Sequence, residues 1–159
     1  MPFLPESFQV PHKLETPPFT LRPLTIHDLV KDYDAVMSSA AHLKGVFGPG
    51  STWPEGLTLE QNLIDLGWHQ KEFQRRRSFT YAVFSPDDSR ELGCVYIYPS
   101  PKKGFDAQVV MWVRESVLKD GFDKLLFDTV VDWLNTDWPF TGVAYPGRTI
   151  SWADWKVSE

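Results

Sequence analysis

A single cysteine, Cys94, occurs in the 159 residues. No disulfide can form within the chain, and the reducing cytoplasm is the expected location. No apolar run approaches the ~18 residues that a membrane span needs. The amino terminus lacks a basic stretch followed by an apolar one, so no signal peptide and no membrane partner are expected. A basic excess is missing too: 16 Lys and Arg stand against 21 Asp and Glu, a net charge of −5. That balance speaks against a nucleic-acid partner. The histidines at 12, 27, 42 and 69 show no zinc-ligand spacing, and no metal is expected. A Gly-x-Ser-x-Gly elbow, a Walker phosphate loop and a dinucleotide fingerprint are all absent.

What the chain has in plenty is aromatic and apolar side chains. Eleven Phe, seven Trp and five Tyr lie in a sequence that is 42% hydrophobic. A chain of this length can bury roughly two-thirds of its unfolded surface, enough for one packed domain. Six of the 13 prolines fall within residues 1–23. Each fixes φ and removes a backbone donor, so residues 1–18 read as an extended arm and 19–159 as one domain. Phe3, Leu4, Phe8 and Val10 are too apolar for a free tail. The arm should cross the domain or reach a second subunit, which makes a homodimer a candidate assembly.

The local patterns predict an α+β order. Residues 19–22 read as a short strand ending at Pro23. Thr25 and Asp28 resemble a capping box, and helical spacing of apolar residues continues over 26–40. Four glycines and two prolines make 45–56 a loop. Thr58 caps a second helix to about Arg77, with Leu59, Leu63, Leu66 and Phe73 as its inner stripe. Arg75, Arg76 and Arg77 in its last turn suit the negative end of the helix dipole, with phosphate binding as the alternative. Residues 79–84, 91–98 and 105–113 read as an antiparallel meander. A third helix spans 121–135, and 140–145 form a last strand that can pair parallel to an earlier one. Trp138, Trp152 and Trp155 are expected to fix the tail.

In this order the sequence resembles the GNAT family of acyl-CoA-dependent N-acyltransferases. The resemblance spans roughly residues 19–145. It rests on Leu21-Arg22-Pro23-Leu24 with Asp28, on Glu91-Leu92-Gly93-Cys94-Val95-Tyr96-Ile97-Tyr98, and on the run from Ala107 through Val113-Arg114 to Gly121. It implies a mixed, mainly antiparallel sheet flanked by helices, with acetyl-CoA as cofactor and a small amine as acceptor. The family's diphosphate signature, Gln/Arg-x-x-Gly-x-Gly/Ala, falls on Leu118-Lys119-Asp120-Gly121-Phe122-Asp123. Only Gly121 keeps the pattern. Asp120 and Asp123 put carboxylates where a diphosphate should bind, and a like-charge contact there costs up to about 4 kcal/mol.

By the same resemblance, Met111, Trp112, Val113, Arg114, Lys119, Gly121 and Phe122 are the candidate cofactor-binding residues. Tyr145 is the candidate acid for the leaving thiolate and Glu91 the candidate base. Tyr96, Tyr98 and Asp106 flank the same strands. Trp53, Phe47 and Trp68 are candidates to line an apolar or cation-binding acceptor pocket. Cys94, inside a strand and without a neighbouring base, reads as an inert buried thiol. Two functions compete: an N-acetyltransferase, and a GNAT-like domain that binds a ligand or protein without catalysis.

Overall fold

Among the described residues, six strands form one sheet in which spatial order follows chain order. They are β1 (Leu14–Glu15), β2 (Thr20–Pro23), β3 (Phe79–Phe84), β4 (Glu91–Pro99), β5 (Ala107–Val113) and β6 (Val143–Ala144). Every pairing is antiparallel except β5 with β6. The computed structural model describes residues 2–158; Met1 and Glu159, the outer ends of the expected arm and domain, lie outside the described residues. The expected mixed, mainly antiparallel α+β architecture is therefore present.

The helices are α1 (Leu29–Met37), α2 (Ala40–Leu43), α3 (Leu59–Gln74), α4 (Phe122–Asp137) and α5 (Trp152–Val157). The Thr25–Asp28 capping box forms, but it opens a single 3₁₀ turn at Ile26–Asp28 before α1 begins. The single helix read over 26–40 is thus three pieces, because the chain bends at Ser38 and Ser39 to start α2. The tail contains a helix that the pattern did not announce: Ser151 caps α5 by accepting from the Asp154 N–H.

Two cores flank the sheet. On one face α4 presents Phe122, Leu126, Val130, Trp133 and Leu134 to Tyr81, Val95 and Met111. Burying each side chain of this size contributes roughly 1.5–3 kcal/mol. On the other face α1 and α3 cover Ala82, Phe84, Cys94, Tyr96 and Trp112. The inner face of α3 is not the expected one. Leu59 and Leu63 are exposed, while Asn62 and Leu66 are buried. The helical period holds but its phase is turned, because Asn62 faces inward to donate to Asp32.

A bulge in β4 shapes the second face. Val83 pairs with Gly93, but the next residue, Phe84, pairs with Glu91. The extra residue puts Leu92 with Val95 and Ile97 in the α4-side core and turns Glu91 toward Asp32 of α1. Only glycine fits at 93: a Cβ there would lie 2.2 Å from the Trp112 carbonyl oxygen.

The arm packs against the domain. Leu4 is buried, Phe3, Phe8 and Val10 lie on the α4-side core, and β1 pairs with β2. Of the three arginines read as the last turn of α3, Arg75 closes the helix and the other two lie beyond it. Arg76 takes a left-handed φ of 57° and donates to the carbonyls of Pro5 (2.9 Å) and Phe8 (3.0 Å). It fastens the arm. Trp138 belongs to the same region, against Phe8 and Phe79, and not to the tail.

Candidate active site

The β5–β6 ladder is two pairs long, Ala107 with Val143 and Gln108 with Ala144. Beyond it the strands part. Tyr145, Pro146 and Gly147 turn away, and Arg148 and Thr149 donate their N–H groups to the Tyr145 carbonyl. Gly147 has φ +83°, and a Cβ there would stand 2.5 Å from the Trp152 indole nitrogen. The opening is a cleft of about 300 Å³ between Met111 and Trp112 on one side and Gly147, Arg148 and Trp152 on the other.

Asp123, in the first turn of α4, closes the end of this cleft. The Arg148 guanidinium grips its carboxylate with two hydrogen bonds of 2.8 and 2.9 Å and gives a third to the Met111 carbonyl at 3.2 Å. It also lies over the Phe127 ring, 5.2 Å from the centroid. These bonds from Arg148 hold the Asp123 carboxyl below its ordinary pKa. Gly121 precedes α4 in the left-handed conformation and offers no side-chain cap. The free N–H groups of that helix start are thus available to an anion.

A second cavity of about 330 Å³ opens on the same sheet face, under α1 and α3. Phe47, Trp53, Tyr96 and Tyr98 supply aromatic walls, and Asp32, Asn62 and His69 supply polar groups. The Asp32 carboxylate accepts from the Asn62 amide at 2.9 Å. Burial raises its pKa, and burial, followed by the charge of Asp32, raises that of Glu91 much further. Glu91 is fully buried, and neither of its carboxyl oxygens has a hydrogen-bond partner among the described residues. Two adjacent buried carboxyls are most stable sharing one proton. Burial lowers the His69 pKa to about 4, so the ring is neutral at pH 7. Its Nδ1 lies 3.0 Å from the Thr80 hydroxyl.

Trp112 and Tyr96 stand between the two spaces. The Trp112 indole N–H donates to the Tyr96 hydroxyl at 3.0 Å; Trp112 lines the cleft and Tyr96 the cavity. Phe47 packs edge-on to both Tyr96 and Trp53.

Of the cofactor residues the resemblance implies, Met111 and Trp112 line the cleft. Val113 is sealed in the α4-side core, and Phe122 packs there against Phe19. Arg114 turns to the other side, donating to Asp34, Ser38 and the Glu91 carbonyl. Lys119 is exposed at the end of the 3₁₀ turn before Gly121. Glu91 lies behind Asp32. Tyr145 packs edge-on to Phe127 in the α4-side core, its hydroxyl without a hydrogen-bond partner among the described residues. Burial pushes that phenol up to about 12. Asp106 holds the Thr141 and Gly142 N–H groups instead of facing the cavity. Trp53 and Phe47 do line the cavity, whereas Trp68 lies outside it. Sequence reasoning missed Asp32, Asn62, His69 and Arg148. The seven-residue spacing of Asn62 and His69 on one helix face was the available signal.

No protein-family model matches the chain, and no curated protein matches it in sequence. Solved structures do match in fold. A ribosomal-protein-alanine acetyltransferase from Vibrio fischeri superposes with a TM-score of 0.59 at 15% identity, over 77% of this chain and 66% of that one. RimL, a ribosomal-protein alpha-N-acetyltransferase in complex with coenzyme A, gives 0.59 at 17% identity, over 77% and 67%. An acetyl transferase from Salmonella typhimurium that modifies the N-terminal serine of a ribosomal protein gives 0.56 at 15%, over 77% and 67%. The chain spans about two-thirds of the length of these neighbours. Among the described residues no helix is long and apolar enough to cross a membrane.

The fold of this chain is the GNAT fold.

Proposed function

We propose that the chain is an acyl-CoA-dependent N-acyltransferase, with acetyl-CoA in the cleft between β5 and residues 145–148 and an amine in the cavity at Asp32. The observation that carries this reading is the pairing of the two spaces across the Trp112–Tyr96 hydrogen bond, one with a cation at a helix start, the other with carboxyls and aromatic walls. The structural neighbours, acetyltransferases one of which holds coenzyme A, support it.

When bound, the cofactor supplies an acyl group activated as a thioester. Arg148 and the free N–H groups at the start of α4 would hold its diphosphate. Arg148 also answers the electrostatic objection raised by Asp123, since it offsets that carboxylate with a bidentate pair. In the cavity, Asp32 and the faces of Trp53 and Tyr96 attract an ammonium group. His69, neutral at pH 7, can accept a hydrogen bond from the amine and orient it; with a pKa of about 4 it is too weak a base to keep the proton the amine loses, which passes to solvent. The acceptor is a small amine or, as the neighbours' substrates would have it, the amino terminus of a protein.

Calorimetric titration with acetyl-CoA and CoA, at low and physiological salt, tests the cofactor. Micromolar binding followed by amine-dependent release of CoA supports the reading. The absence of binding up to millimolar ends it. That outcome would favour a GNAT-fold binding domain without catalysis, a reading supported by the same Arg148–Asp123 pair, which already fills the phosphate end of the cleft.

A further inference from the structure

A groove of about 790 Å³, more than twice the volume of the cleft, lies where the end of α3 meets the amino-terminal arm. One wall is apolar, made by Phe3, Leu4, Pro99 and Trp68. Trp68 is 52% exposed, a large apolar face left to solvent. The rim carries Arg75 and Arg77, both exposed and neither in an ion pair among the described residues. Ser78 lines the same groove. It is only 3% exposed, yet its hydroxyl has no hydrogen-bond partner among the described residues. A buried hydroxyl left unpaired is destabilising unless something satisfies it.

Glu6 and Glu72 also line the groove and oppose an anion. Three arginines against these two glutamates still leave it positive, in a chain whose net charge is −5. Arg76 is the fixed member of the three. By holding the Pro5 and Phe8 carbonyls it locks the arm to the arginine rim, so both walls are set in place before any ligand arrives.

We propose that this groove binds an anionic group, a phosphomonoester or a carboxylate, carried on a flat aromatic body. The anion meets the guanidinium groups of Arg75 and Arg77 and the Ser78 hydroxyl, and the ring lies on Trp68. The groove shares the Tyr98 ring with the cavity at Asp32, but its arginine rim and Ser78 line neither the cavity nor the cleft, and the proposal stands whether or not the chain transfers acyl groups.

The test is a ¹H–¹⁵N NMR titration of the full chain that follows the Trp68 indole N–H, identified by its loss in Trp68→Phe. The probes are phenyl phosphate, benzoate, inorganic phosphate and benzyl alcohol. Phenyl phosphate or benzoate should shift the resonance saturably, with a Kd of about 1 mM or tighter. The stronger of the two names the anion. The double variant R75A/R77A should weaken that binding by roughly tenfold or more, and S78A by a few-fold without lowering Tm. Inorganic phosphate should bind at least about fivefold more weakly, for want of the ring. The proposal is overturned if neither organic anion saturates, if R75A/R77A binds as the parent does, or if benzyl alcohol or inorganic phosphate binds as well as the organic anions.

Discussion

Arg148 and Asp123 meet in a two-pronged ion pair, 2.8 and 2.9 Å long, where the parallel strands β5 and β6 part. In the proposed diphosphate site Asp123 alone would repel the ligand. Together they leave a near-neutral helix start with an arginine already in position.

Opposite effects are expected from cutting this pair on its two sides. Asp123→Ala removes the charge that competes with phosphate and frees Arg148; CoA should bind roughly tenfold more tightly, about 1.4 kcal/mol. Arg148→Ala leaves Asp123 uncompensated and should weaken CoA by at least about the same factor. Calorimetry of the two variants decides, and equal affinities in both would remove the pair from the cofactor site.

Glu91→Gln should flatten the alkaline side of the stability profile. The folded-state pKa of Glu91 is raised, so its contribution is fully present below the unfolded value and is lost as pH rises through the folded one. A neutral amide keeps the shape without the charge. The melting temperature of the variant, compared with the parent, should gain more at pH 8 than at pH 5. A gain independent of pH would mean that Glu91 is not the group being relieved.

His69 works in the other direction. Its folded pKa is depressed to about 4, so its contribution is present above the unfolded value and disappears as pH falls. Between pH 6.5 and 4, urea unfolding should lose up to about 3 kcal/mol on this account. His69→Gln, measured beside the parent, should lack that part of the slope. Parallel curves would show that His69 is as free to charge in the fold as in the unfolded chain.

Two glycines make a controlled pair. A methyl group at Gly93 meets the Trp112 carbonyl, backbone against backbone, and Gly93→Ala should cost at least about 3 kcal/mol or abolish folding. Gly50 has open space and no left-handed φ, so Gly50→Ala should be neutral or stabilising by about 0.4–1 kcal/mol. Denaturant midpoints of both variants check this, and similar values for the two would refute the clash.

Local signals in the sequence were faithful where neighbours in the chain decide the outcome. The Thr25–Asp28 capping box forms, though on a 3₁₀ turn, and the strands read at 79–84, 91–98 and 105–113 become β3, β4 and β5 to within two residues at their ends. The candidate site was much less legible, because it joins residues that only the folded sheet brings together. Arg148 finds Asp123 only after β6 has crossed to lie parallel to β5. Asp32 and Glu91 meet through a bulge that no composition announces. The phase of α3 misled for a related reason: Asn62 and His69 look like surface residues until a buried carboxyl is placed beside them. The arginine run at 75–77 reads as a dipole complement, but Arg76 serves the arm.

The coincidence of spatial and chain order across the sheet has a kinetic consequence. β3, β4 and β5 are joined by short turns at 85–90 and 100–106, so their hairpins close early and at small entropic cost. β2 must close over residues 24–78, and β6 must wait for α4. In pulse-labelled hydrogen exchange the amides of the meander should gain protection first. The parting of β5 from β6, and with it the cleft, is then assembled last, on a scaffold that is already rigid.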